Sequence, residues 1–285
     1  MNHNKILFVA LIVLVAAFAA YYFINQGSFK ETNSDPTFEV KQNEIPVEGS
    51  LFKVLTNDIQ VDYKSKTVTY SSAEFELKPE FMDLYYKIGL LNQTQNAVVV
   101  YPIFTEAAYS KNGFYDRYNN RCDNSCLIVE MSHDFGGEYS ASRSAFKALS
   151  LLGYQHITDA DIDKDPDVLK KYDKVILLHS EYVTKREFDA ITGHPKVVYL
   201  YPNSLYAEVI ANYQDNTVSL VRGHGYPSPE IGNGFGWEFD NTNFEYDNKC
   251  EGWKFYEVGN GIMLNCYPEY IVYRDSSLLQ KIKNY

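Results

Sequence analysis

The stretch Lys174-Val175-Ile176-Leu177-Leu178-His179-Ser180-Glu181-Tyr182-Val183-Thr184 decides how this chain reads. Its first five residues are apolar enough for a buried strand, and polar residues able to bind a metal or move a proton follow at once. Thr184 reads as the N-cap of a helix through residue 191, with Glu187 three residues on completing a capping box. A strand leaving into a helix at its carboxyl end is where open α/β sheets place their ligands. His179 and Glu181 alternate along an extended segment, so both side chains face one side and Tyr182 faces away. Such a pair suits a metal site or an acid/base pair, or a buried imidazole hydrogen-bonded to a carboxylate.

Outward from this stretch the same rhythm repeats. Residues 97–101, 126–130, 154–157 and 197–201 read as strands, the first an unbroken apolar run. Between them lie helical patterns at residues 140–152, closed by Gly153, and at 168–172 after Asp165-Pro166. Strands that alternate with helices and are apolar on both faces predict an α/β fold, a parallel sheet flanked by helices. Upstream, residues 59–63 and 67–70 read as a hairpin. Phe81, Leu84, Tyr85, Ile88 and Leu91 form a helical stripe behind Pro79. After Asn203 the helical patterns stop. Two hairpins are expected there, at 208–213 with 217–221 and at 253–258 with 262–266, the second around Gly259-Asn260-Gly261.

The chain has 285 residues, a net charge of −11 and 25 tyrosines. The charge argues against a nucleic-acid partner, because phosphate binding needs clustered Lys and Arg. Residues 6–24 are an unbroken apolar run behind Lys5, and a helix needs roughly 20 apolar residues to cross a bilayer. The reading is an uncleaved transmembrane anchor over residues 1–25, with the membrane as a partner and a single-pass protein whose body lies on the extracytoplasmic side. Ala17-Phe18-Ala19 leaves a cleaved signal peptide as the alternative. Four cysteines behind an export segment predict two local disulfides, Cys122 with Cys126 and Cys250 with Cys266; a four-cysteine zinc site is the rival. The layout is then an anchor (1–25), a tether (26–45), a hairpin-and-helix extension (46–96), an α/β core (97–222) and a β-rich, disulfide-stapled tail (223–285).

Three further stretches carry a resemblance. Gly153-Tyr-Gln-His-Ile-Thr-Asp-Ala-Asp-Ile162, then residues 172–184, then Tyr199-Leu-Tyr-Pro-Asn-Ser-Leu-Tyr206, resemble the C-terminal domain of the N,N-dimethylformamidase large (beta) subunit. Pro102-Ile-Phe-Thr-Glu-Ala-Ala-Tyr109, with Gly113 and Tyr115 after it, resembles that family's segment behind the first strand. The resemblance covers residues 98–222. It departs from the family at Val183 and Ala207, where tryptophans usually stand. It implies a class I glutamine amidotransferase-like (flavodoxin-like) fold with β-rich N- and C-terminal extensions. It further implies an iron held by tyrosine phenolates and one carboxylate, hydrolysing a small amide C–N bond. Carried over by position, Glu181 matches the carboxylate, His179 the neighbouring histidine, Asn203 the asparagine after the next strand and Tyr109 one phenolate. Tyr139 and Tyr115 compete for the second. Phenolate and carboxylate are hard oxygen donors suited to such an ion, and a histidine beside it can move the proton.

Other constellations say less. Ser132-His133-Asp134 follows a strand and reads as a polar loop with an Asp cap. Ser180 lacks the glycine frame of a nucleophile elbow. Arg222-Gly-His224-Gly-Tyr226 reads as a solvated loop or a cleft lining, and Gly232-Asn-Gly-Phe-Gly236 as a turn. A zinc site built on His133, His179 and Glu181 is a further alternative. A rival from another class is a non-catalytic binding or surface-assembly module, taking a small-molecule or glycan ligand.

Overall fold

A computed structural model describes residues 43–56, 60–62, 67–69, 73–131 and 142–285. Its main sheet has six strands in the order β14, β15, β11, β9, β6, β8. These are β6 (Ala97–Tyr101), β8 (Gln155–Thr158), β9 (Lys174–Leu177), β11 (Val197–Tyr199), β14 (Phe255–Val258) and β15 (Gly261–Leu264). The pairs from β8 through β6, β9 and β11 to β15 are parallel, and β14 closes the edge antiparallel.

The sheet is covered on both faces, which explains its continuous apolar strands. Val98, Val100, Val175, Leu177, Val197, Tyr199 and Met263 point to one face. There they pack with Ile162 of α5 (Asp159–Lys164), Leu169 of a 3-10 turn (Pro166–Lys171) and Ile191 of α6 (Lys185–Gly193). Their neighbours Ala97, Val99, Tyr101, Ile176, Val198, Ile262 and Leu264 point to the other. That face meets α1 (Met82–Ile88), α4 (Arg143–Leu151) and α7 (Ser276–Asn284). Each fully buried Val, Leu or Ile contributes roughly 1.5–3 kcal/mol. Lys174 is buried at the head of β9 and donates to the Ile282 and Lys283 carbonyls at 2.8 and 2.9 Å. A cation thus closes the negative end of α7.

The expectation of one parallel sheet flanked by helices, behind a transmembrane helix, is corrected. The chain is a mixed α/β structure with several sheets. A second sheet has the order β10, β12, β13, β7, from β7 (Ile128–Glu130), β10 (Tyr182–Thr184), β12 (Ala207–Asn212) and β13 (Thr217–Arg222). Only β10 and β12 run parallel in it. A third sheet pairs β2 (Phe52–Thr56) with β1 (Asn43–Ile45) and β5 (Glu74–Leu77), all antiparallel. The expected hairpin pairs β3 (Gln60–Asp62) with β4 (Thr67–Thr69).

Three local readings change with it. Strand β7 is antiparallel, not part of the parallel core, because only Val129 is buried while Ile128 is 60% exposed, a one-sided pattern. Helices do not stop after Asn203: Asp275 caps α7 by accepting from the Ser277 and Leu278 amides, and Leu278, Leu279 and Ile282 bury one stripe. The capping box at Thr184 is half formed. Thr184 Oγ1 accepts from the Glu187 amide at 3.1 Å, but neither Glu187 carboxylate oxygen has a hydrogen-bond partner among the described residues.

The single-pass membrane placement is corrected as well: among the described residues no helix is long and apolar enough to cross a membrane. The apolar run at residues 6–24 and the tether to residue 42 lie outside the described residues, as do Tyr139 and Ser132-His133-Asp134. Both disulfides form in the expected pairs, Cys122–Cys126 and Cys250–Cys266.

Candidate functional site

The parallel strands deliver side chains to one edge. Strand β6 runs into α2 (Ile103–Tyr109), which ends on Tyr109. Strand β9 ends at Leu177, and residues 178–181 lead from it to β10 in the second sheet. His179 and Glu181 sit in that crossing, and Asn203 sits behind β11 with φ 56°.

The crossing is fastened through its backbone. Thr105 Oγ1, on buried α2, accepts from the Glu181 and Tyr182 amides at 3.0 and 3.1 Å. Ser142 Oγ accepts from the His179 amide at 2.9 Å. The Glu181 carbonyl accepts from the Tyr206 and Ala207 amides, both at 2.9 Å. Such satisfied amides hold a short non-regular segment in one conformation.

The Glu181 carboxylate is the centre, with 1% of the residue exposed. The Tyr109 hydroxyl donates to Oε2 at 2.7 Å, and His179 Nε2 stands 3.5 Å from the same oxygen. His224 Nε2 lies 2.5 Å from Oε1. His179 and Glu181 therefore do face each other. Tyr182 does not turn away into an inert core: its ring lies 5.3 Å from His224 and 6.4 Å from Tyr109.

The electrostatics follow from burial and proximity. Burial alone would raise Glu181, but the hydrogen bond and charge of His224, with His179 and Tyr109, outweigh it and hold the carboxyl below its usual range. Burial pushes His179 down to about 4, against the pull of Glu181, so its imidazole is neutral near pH 7. Burial, then the Glu181 charge, pushes the Tyr109 phenol well up, so its proton stays on near neutral pH. Among the described residues the buried Tyr182 Oη, Ser180 Oγ and Asn203 Oδ1 have no hydrogen-bond partner.

Of the residues singled out in the sequence, Tyr109, His179 and Glu181 meet. Asn203 is buried behind β11, and its Oδ1 has no hydrogen-bond partner among the described residues. Tyr115 stacks on the Tyr109 ring at 4.7 Å. His224, read from the sequence as part of a cleft lining or a solvated loop, is the site residue that reading did not tie to Glu181. Gly223 (φ 129°), His224 (φ 51°) and Gly225 (φ 74°) share positive φ, and the glycines flanking this histidine were the available signal.

The donor set combines a phenol oxygen, a carboxylate and two imidazoles, ligand types that suit an iron ion. Among the described residues no group of three or more His, Cys, Asp and Glu side chains is arranged to hold a metal ion. No family model matches the chain, and no curated protein matches it.

Proposed function

We propose that the chain is a hydrolase of small amide C–N bonds, with iron held at the Glu181 centre by Glu181, Tyr109 and an adjacent imidazole. The observation that carries this reading is the 2.7 Å hydrogen bond from Tyr109 to Glu181, beneath two histidines. The resemblance to the dimethylformamidase large subunit supports the reaction class, since the residues that carry it include Tyr109, His179 and Glu181.

Bound there, iron would polarise the amide carbonyl and lower the pKa of a water. The protein's own groups do the rest. The neutral His179 takes a proton from water as its oxygen adds to the carbonyl carbon. The C–N bond then breaks, and that proton passes to the amine nitrogen, giving a carboxylic acid and an amine. The two Glu181 carboxylate oxygens stand 3.5 Å from His179 Nε2 and 2.5 Å from His224 Nε2, and the buried crossing keeps bulk water from the base. Two disulfides suit an oxidising compartment.

Metal analysis of the purified chain tests the proposal. One iron per chain, with a visible phenolate charge-transfer band lost in Glu181→Ala and Tyr109→Phe, supports it. A stable protein that takes up no iron and does not respond to Glu181→Ala is instead a binding module.

A further inference from the structure

We propose that the Cys122–Cys126 disulfide is a redox-sensitive clasp: a dithiol reductant opens it, and the short helix that lies against the Glu181 centre loosens with it. This concerns the regulation of that centre and rests on reading it as a ligand site.

The helix is α3 (Phe114–Tyr118). Tyr115 stacks on Tyr109 at 4.7 Å, and Tyr118, 52% exposed, lies 5.2 Å from His224. Arg117 stands 4.9 Å over Tyr226, whose backbone pairs with Gly223 in the turn that carries His224. Little burial holds this helix in place. Of its five described residues Phe114 alone is buried, with its ring 5.4 Å from Tyr182. A helix so short, with one buried side chain, has little stability of its own.

The disulfide supplies a fastening. Cys122 follows α3 after a turn, and Cys126 lies in the 3-10 turn Asn124–Leu127 that runs into β7. Strand β7 pairs with β13, whose end leads to His224. The bridge therefore staples the trailing end of α3 to the sheet that delivers His224. Side chains tie the bridged loop to the helix as well. Arg117 Nε donates to Asn124 Oδ1 at 3.3 Å. Arg121 pairs with Asp116 at 2.9 Å, and its guanidinium lies 5.9 Å over the Tyr115 ring.

The same bridge is the one a reductant can reach. Asp123, Asn124 and Ser125 are exposed and Cys122 is half-buried, whereas Cys250 and Cys266 are 3% and 0% exposed. Accessible disulfides are the labile ones. All four cysteines are paired, so the reducing thiols come from another molecule. One thiolate of a dithiol attacks the Cys122 sulfur, and Cys126 leaves as a thiolate. The second thiolate then closes the reductant's own disulfide, and Cys122 leaves in turn. Two electrons pass to the protein, and the two protons of the dithiol end on the cysteines.

Stepwise reduction of the full chain with dithiothreitol, read by alkylation and mass spectrometry, tests the clasp. Cys122–Cys126 is expected to open at a concentration about tenfold or more below the one Cys250–Cys266 requires. With the first bridge alone open, amide hydrogen exchange across residues 114–121 is expected to quicken about tenfold, and the His224 imidazole NMR resonances to shift. The Cys122→Ser, Cys126→Ser double variant should show both changes without reductant, and the same dose of reductant should add nothing. Opening of the two bridges together overturns the proposal, as does selective opening that leaves exchange and the His224 resonances unchanged. None of these readouts needs a metal, so a chain that shows them and takes up no iron overturns the metal reading alone.

Discussion

The Tyr109 hydroxyl donates to Glu181 Oε2 at 2.7 Å across 72 residues of chain, joining the helix behind one parallel strand to the crossing behind the next. Tyr109→Phe keeps the ring stacked on Tyr115 and removes only the donor. The buried carboxylate then loses one of its partners. We expect a loss of about 1–3 kcal/mol in unfolding free energy, read by urea denaturation. An unchanged midpoint would show that the hydroxyl carries no structural weight.

Thr105→Val tests the fastening of the crossing. The hydroxyl that accepts from both the Glu181 and Tyr182 amides becomes a methyl, leaving two buried donors. Each orphaned amide costs about 1–3 kcal/mol. Thr105→Ser should restore most of the loss. If Val and Ser variants unfold at the same urea concentration, the hydroxyl does not hold the loop.

Glu269 gives a pH dependence. Burial, against hydrogen bonds from Tyr201 and Ser144, raises its carboxyl to about 7 from 4.5. Between those values the folded state keeps a proton that the unfolded chain releases. Stability therefore falls as pH rises through this window and levels off above about 7, by at most about 3 kcal/mol. Glu269→Gln should flatten the slope between pH 4.5 and 7, measured as melting temperature against pH. A slope identical to that of the parent chain refutes the assignment.

The two disulfides should differ in weight. Cys250–Cys266 closes a separation of 16 residues and both sulfurs are buried, whereas Cys122–Cys126 closes 4. Replacing the first pair by serine should cost about 3 kcal/mol and the second distinctly less, because loop-closure entropy grows with length. Equal losses by denaturant titration would contradict that ordering.

What the sequence disclosed is what local pattern encodes. The apolar run 174–178, the Thr184 cap and the short cysteine spacings each act within a few residues, and each has its counterpart in the structure. Pairing between distant strands is not written locally. Residues 128–130 look like any short apolar strand, and only the exposure of Ile128 reveals an antiparallel edge. Strand β15 likewise joins the main sheet beside β11, because Gly261 has no Cβ to collide with the Val197 carbonyl. His224 reads locally as a cleft lining or a solvated loop, not tied to Glu181, for the same reason. It reaches Glu181 Oε1 from the turn behind β13, and no spacing rule ties the two.

Anomalous diffraction at the iron edge, from crystals grown with iron, tests the central claim most directly. The account predicts one peak within bonding distance of Tyr109 Oη and a Glu181 carboxylate oxygen, lost in Glu181→Gln. Iron-soaked crystals in which Tyr109 still donates directly to Glu181, with no peak beside them, would contradict it.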